Sequence, residues 1–156
     1  MHAATAIFTL LAATASALPA KEVKSVPSEN IDIADFTVRK TQAAGSDEKT
    51  IEAVSFKLSG DDAKELLCEK SKPSLPSEVI TCGDSKYRFV LQEGTVEGYE
   101  FGLTIYHELG PAVGFWGEGV VPTYCRAGGN GVNDFVCTET GPTTIVITNG
   151  STETED

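Results

Sequence analysis

Four cysteines, Cys68, Cys82, Cys125 and Cys137, constrain this chain more than any other feature. They follow an N-terminal stretch, Ala3–Ala17, built only from Ala, Thr, Ser, Ile, Phe and Leu. Its apolar centre, Ile7–Ala13, precedes Ala15-Ser16-Ala17, the small-x-small pattern of an export cleavage site. Residues 1–17 therefore read as a signal peptide, although the only basic side chain near its start is His2. An even number of cysteines in an exported chain implies disulfides. Three pairings are open. The local one would close two short loops, each worth roughly 3 kcal/mol in the chain-entropy picture. A four-cysteine zinc site needs closely spaced Cys-x2-4-Cys pairs, and this sequence has none.

Cleavage at Ala17 would leave material for one domain. The formal net charge of the chain is -11. An acidic surface repels nucleic-acid phosphates and anionic lipid heads, so neither a nucleic acid nor a membrane is the expected partner. Beyond the N-terminal segment no apolar run is long enough to span a bilayer.

The remaining pattern is strands and turns. Residues 18–30 are polar, carry Pro19 and Pro27, and read as a flexible lead-in. A first strand is expected over Ile31–Val38. Ala53–Leu58 alternates cleanly, with Val54, Phe56 and Leu58 on one face. Asp61–Glu69 is open between a helical turn that buries Leu66 and Leu67 and a strand that delivers Cys68 to the core. Val79–Cys82 and Tyr87–Leu91 are short strands around a Gly83-Asp84 turn. Tyr99–Leu109 carries the longest alternation. Tyr99, Phe101, Leu103, Ile105 and His107 form its core face, and Glu100, Gly102, Thr104, Tyr106 and Glu108 its outer face. After the Gly110-Pro111 turn, Ala112–Val121 is a strand. Gly114, Gly117 and Gly119 there predict bending, a bulge or a close backbone approach. Phe135–Cys137 and Thr143–Thr148 are the last strands. Many short strands with Gly and Pro turns point to an all-β sandwich or barrel over residues 31–149, ahead of an acidic tail at 150–156.

Little in this sequence points to catalysis. His107 is the only histidine after the export segment and lies on a core face, where a satisfied buried histidine is the ordinary role. There is no Gly-x-Ser-x-Gly elbow, and no ligand set for a hydrolytic metal. With 23 acidic residues, a carboxylate pair at glycosidase spacing arises by chance. No cofactor is expected.

Two regions are candidates for binding. Trp116 is the sole tryptophan, and its facing depends on the 106–116 hairpin register. If Leu109 pairs with Ala112, Trp116 points inward opposite Ile105. A shift of one residue sets it beside Tyr106, facing out. The second region is Tyr124–Cys137, where Gly128, Gly129, Asn130 and Gly131 form a turn between two cysteines, with Arg126 and Asn130 available to a partner. Asn149-Gly150-Ser151 is the one candidate N-glycosylation sequence.

The segment Tyr-Cys-Arg-Ala-Gly-Gly-Asn-Gly-x-x-Asp-Phe-Val-Cys at Tyr124–Cys137 resembles the signature of the major Alternaria allergen family, secreted fungal proteins that include plant-defence elicitors and effectors. Ile33-Ala34-Asp35-Phe36 with Arg39-Lys40, and Val54–Leu58, are similar to that family's early strands. The resemblance implies a compact all-β antiparallel barrel with bridges Cys68–Cys82 and Cys125–Cys137. It also implies secretion to the medium or cell wall, and a non-catalytic role. Its implied partners are host extracellular proteins, among them thaumatin-like pathogenesis-related proteins, and in some members a small aromatic ligand of flavonoid type. The implied function is an effector or elicitor of plant immunity, with a small-ligand carrier or a structural cell-wall protein as alternatives. The allergen links two subunits through an extra cysteine near its mature N-terminus. Leu18–Leu67 contains none here, so a monomer or non-covalent dimer is expected.

Overall fold

The computed structural model describes residues 26–150. The expected signal peptide, most of the lead-in and the acidic tail beyond Gly150 lie outside the described residues. Ten strands follow one another: β1 (Ser28–Gln42), β2 (Lys49–Gly60), β3 (Ala63–Ser71), β4 (Ile80–Thr81), β5 (Tyr87–Glu93), β6 (Phe101–Gly110), β7 (Val113–Val121), β8 (Thr123–Ala127), β9 (Asp134–Glu139) and β10 (Thr143–Thr148). All the pairings are antiparallel. Hydrogen bonding runs β3-β2-β1-β10-β7-β6-β5-β4, with the β8–β9 hairpin joined to β1 through β9.

This path leaves β3 and β4 as its two ends. The Cys68–Cys82 disulfide connects them, since Cys68 lies in β3 and Cys82 directly follows β4. Lys70 and Glu78 form an ion pair at 3.1 Å over the same seam. A nearly closed antiparallel barrel results, shut on this side by a covalent bond in place of a ladder.

β1 serves two partners along one edge. Its first half pairs with β10 and its second half with β9. The change-over is a bulge between Ala34 and Thr37, where Asp35 adopts φ 55°. Such a bulge bends the strand and raises its twist. The Asp35 N–H left in the gap donates to Glu139 Oε1 at 2.6 Å.

Alternation fills the barrel as the sequence requires. Val54, Phe56 and Leu58 are buried, as are Phe36, Phe89, Leu91, Phe101, Leu103, Ile105, Ile145 and Ile147. Phe56 meets Phe89 edge-on at 4.9 Å, and Phe36 lies 6.0 Å from Phe56 and 6.4 Å from Phe101. These separations suit the ring quadrupole. The glycines of β7 mark a close approach. A Cβ on Gly117 would overlap the Val146 carbonyl, and one on Gly119 would stand 2.9 Å from the Ile145 side chain. The two glycines let β10 lay its isoleucines across β7.

Several elements differ from the sequence reading. β1 begins at Ser28, so Ser28–Asn30 belong to the sheet, and Glu29 is buried. Tyr99 precedes β6 and is exposed, because the chain is still in the turn whose Gly94 N–H donates to Glu100 O. Val79 is exposed and outside β4. Residues 63–71 form a strand that buries Cys68, while Leu67 faces solvent. The outer face of β6 is drier than expected, with Gly102 and Thr104 buried and Thr104 donating to Gln92. Tyr124–Ala127 belongs to strand β8, so only residues 128–133 turn.

Candidate interaction surface

The β6–β7 hairpin settles the facing of Trp116. Pro111 and Ala112 form its turn, and Gly110 pairs with Val113. Proline suits the first turn position because its φ is preset, and Ala112 takes φ 58° at the second. Leu109 is then an extra residue, bulged between Glu108 and Gly110. The bulge shifts the register so that Trp116 pairs with Tyr106, and both side chains point outward. Trp116 is 49% exposed.

Arg88 of β5 is the partner of Tyr106 on its other side, which makes a row Arg88–Tyr106–Trp116 over three strands. An open cleft of about 370 Å³ lies along this row, lined by Arg88, Tyr106, Glu108, Val113, Gly114 and Trp116. Arg88 Nη2 donates to Glu108 Oε2 at 2.6 Å. Both partners are solvated, so the pair contributes little to stability and holds two polar heads beside the rings. A Cβ on Gly114 would meet the His107 carbonyl at 2.5 Å, and its absence keeps that part of the cleft floor bare.

Arg126 and Asn130 lie elsewhere. Arg126 is exposed on β8 and Asn130 is exposed in the turn to β9. Cys125 and Cys137 stand directly opposite each other and are bridged. Asp134 organises this turn. Arg39 grips it with Nε at 2.9 Å and Nη2 at 2.7 Å, and the Asn130 N–H donates to Oδ2 at 2.9 Å. The Arg39 hydrogen bond, then the Asn130 N–H, hold the Asp134 carboxyl below its usual range. Gly129 and Gly131 take φ 91° and 127°, conformations that glycine adopts freely. By strand order this hairpin hangs from β1, so the four candidate residues form two patches.

Each end of the barrel holds a polar cluster that the strand pattern does not reveal. At one end His107 Nδ1 lies 2.6 Å from Glu29 Oε2, and the His107 ring stacks on Tyr87 at 4.0 Å. Tyr87 Oη and the Asp61 N–H donate to Glu29 Oε1 at 2.7 and 2.9 Å. Burial and the Glu29 carboxylate push the Tyr87 phenol well above its usual value. At the other end Lys40 pairs with Glu100, and Lys49 lies 3.4 Å from the same carboxylate. Glu100 also stands 3.2 Å from Cys125 Sγ. That sulfur carries no proton, so the contact is not a hydrogen bond. The grouping Glu100, Cys125 and Cys137 has metal-like spacing, but both sulfurs are spent in a disulfide and offer no thiolate.

Residues 33–137 match the family described as Alternaria alternata allergen 1. The chain belongs to this family. It is 61% identical over 119 residues to a protein named "Effector protein PevD1" from Verticillium dahliae, covering 76% of this chain and 71% of that one. Two crystal structures of the Alternaria alternata allergen Alt a 1 share its fold, with TM-scores of 0.59 and 0.57. Each alignment covers 76% of this chain, and 86% and 91% of the allergen chains. At 22% and 23% identity that likeness concerns the fold alone. This is thus an all-β, two-disulfide member of an effector and allergen family, with the bridges that the resemblance implied.

Proposed function

We propose that this protein is a secreted, non-catalytic fungal effector that binds a host extracellular protein through the Arg88–Tyr106–Trp116 row and thereby triggers plant immune responses. The observation that carries this reading is an outward-facing aromatic pair, exposed Trp116 beside half-buried Tyr106, on the outside of a filled barrel. Trp, Tyr and Arg are the side chains most enriched at binding hot spots. The four core phenylalanines occupy the barrel interior, so a small ligand has the outer cleft and not the lumen. The net charge of -11 favours a basic partner and speeds the encounter. A thaumatin-like pathogenesis-related protein is the class proposed.

The non-catalytic part rests on His107 and the cysteines. The histidine is committed to Glu29 and Tyr87, and all four cysteines are bridged. With no thiol left over, the protein is a monomer or a non-covalent dimer.

Capture from host extracellular fluid tests the reading, using the purified chain beside Trp116→Ala and Tyr106→Ala. One basic host protein should be retained by the parent, released by salt, and lost with either variant. Infiltrated into leaves, the parent should raise defence markers and the variants should not. Equal capture and equal response by all three would refute the assigned surface.

A further inference from the structure

The turn between β8 and β9 carries an Asn-Gly pair, Asn130-Gly131. Both residues are exposed, and the next one, Val132, is 92% exposed. The Asn130 N–H donates to Asp134 Oδ2 at 2.9 Å, and the Gly131 carbonyl accepts from the Asp134 N–H at 3.3 Å. These bonds hold the main chain on either side of the Asn130–Gly131 peptide link and leave the link itself bare. Among the described residues, neither the Gly131 N–H nor the Asn130 carboxamide has a hydrogen-bond partner. Nothing lies within 4 Å of the place where a Gly131 Cβ would stand.

We propose that Asn130 is a site of spontaneous deamidation and isomerisation, which remodels the 128–133 turn and leaves the barrel intact. The site lies apart from the Arg88–Tyr106–Trp116 row and does not depend on the partner proposed for that row. In the first step the Gly131 main-chain nitrogen attacks Asn130 Cγ. A C–N bond forms, the Cγ–Nδ2 bond breaks, and ammonia leaves with the proton of the Gly131 N–H. Water then opens the cyclic imide. Addition at Cγ gives aspartate. Addition at the main-chain carbonyl of residue 130 gives isoaspartate, whose chain runs through the former side chain and is one methylene longer. Either product adds a negative charge to the formal -11.

An asparagine side chain reaches neighbouring backbone groups readily, and a following glycine has no Cβ to obstruct the attack. The other asparagines of the described residues lack this opening. Asn133 is also exposed, but the nitrogen after it belongs to buried Asp134 and donates to the Gly131 carbonyl. Asn30 pairs with Val146 in β1 and precedes buried Ile31. Asn149 precedes a glycine, but the Gly150 N–H donates to Thr148 Oγ1 at 3.3 Å. The change at Asn130 stays local because the Cys125–Cys137 bridge and the Arg39 grip on Asp134 clamp the stem of the turn. The isoaspartate methylene falls between the Asn130 N–H and the Gly131 carbonyl. Both are bonded to Asp134, so that pair of bonds must rearrange.

The full disulfide-bonded chain should be aged in warm neutral buffer and its peptides mapped over time. Asn130 should convert to isoaspartate and aspartate ahead of Asn133. The same chain, reduced, alkylated and unfolded in guanidinium, gives the unprotected rate, and the folded protein should convert Asn130 within about tenfold of it. Stronger protection by the fold would overturn the proposal. So would conversion no faster than at Asn133, or aspartate without isoaspartate, which bypasses the imide. Hydrogen exchange of the isoaspartate form should rise at the Asp134 N–H and match the parent through β5 and β6. Unchanged exchange at Asp134 would refute the remodelling, and faster exchange through β5 and β6 would refute its confinement to the turn.

Discussion

The Glu29 carboxylate meets His107 Nδ1 at 2.6 Å, although the two residues are 78 positions apart in the chain. It also accepts from Tyr87 Oη and from the Asp61 N–H, so one side chain ties together β1, the β2–β3 turn, β5 and β6. Glu29→Ala would leave three buried or partly buried partners without an acceptor. It should lower unfolding stability by about 3 kcal/mol. Glu29→Gln, which retains one carbonyl acceptor, should cost less. Urea unfolding of the three proteins measures both, and a midpoint unchanged in Glu29→Ala would show that the cluster contributes nothing.

Acid should weaken the fold. Burial alone would push the Glu29 carboxyl up, but hydrogen bonds from Tyr87, His107 and the Asp61 N–H outweigh it and hold it below its ordinary value. Asp134 is likewise held low, chiefly by Arg39. A carboxyl depressed in the folded state binds fewer protons there than when unfolded. Its contribution is therefore complete above the unfolded carboxylate range, about pH 4–5, and is lost as pH falls through the folded value. Tyr87 has the opposite sign. Its raised phenol favours the fold below the unfolded value of about 10, and that contribution is lost at higher pH. Thermal scans should show a plateau near neutrality with an acid limb, and Glu29→Gln with Asp134→Asn should flatten that limb. An acid limb as steep in the double variant as in the parent would contradict the assignment.

The Cys68–Cys82 bridge joins the two ends of the hydrogen-bonded path, whereas Cys125–Cys137 staples two strands already paired. Chain entropy alone assigns nearly equal effects, about 3 kcal/mol each, because the loops are of similar length. The seam position adds local opening. Cys68→Ser/Cys82→Ser should raise hydrogen exchange throughout β3 and β4, while Cys125→Ser/Cys137→Ser should loosen the β8–β9 hairpin. Identical exchange patterns in the two variants would argue against the seam.

Gly117→Ala tests the close approach of β7 and β10. The new methyl would press on the Val146 carbonyl, which is backbone and cannot swing aside. A loss of about 2–3 kcal/mol is expected from forced overpacking. Gly141→Ala is the control, because nothing lies within 4 Å of its Cβ position. Equal unfolding midpoints for the two variants would show that β10 does not bear on Gly117.

Much of the barrel is legible in the sequence. Val54, Phe56 and Leu58 alternate over one strand, and their burial follows from the two-residue period of β-structure. The turn around Gly129 and Gly131 is visible in its composition. Asp134, which builds that turn, carries no such signal although it lies between the two cysteines, because an acidic side chain in a loop gives no sign that an arginine from β1 will grip it. Glu29 was hidden for the same reason. It stands in a polar stretch, and its partners arrive from strands far along the chain.

Strand class, the even cysteine count, the sequon at Asn149 and the inward facing of runs such as Val54, Phe56 and Leu58 follow from residue order alone, because each is a property of neighbouring residues. The facing of Trp116 and the partners of Glu29 depend on how distant strands assemble. A single bulged residue, Leu109, inverts the facing of everything beyond it in the hairpin, since side chains alternate every residue. The partners of a buried acid depend on where distant strands come together, and no local pattern encodes that.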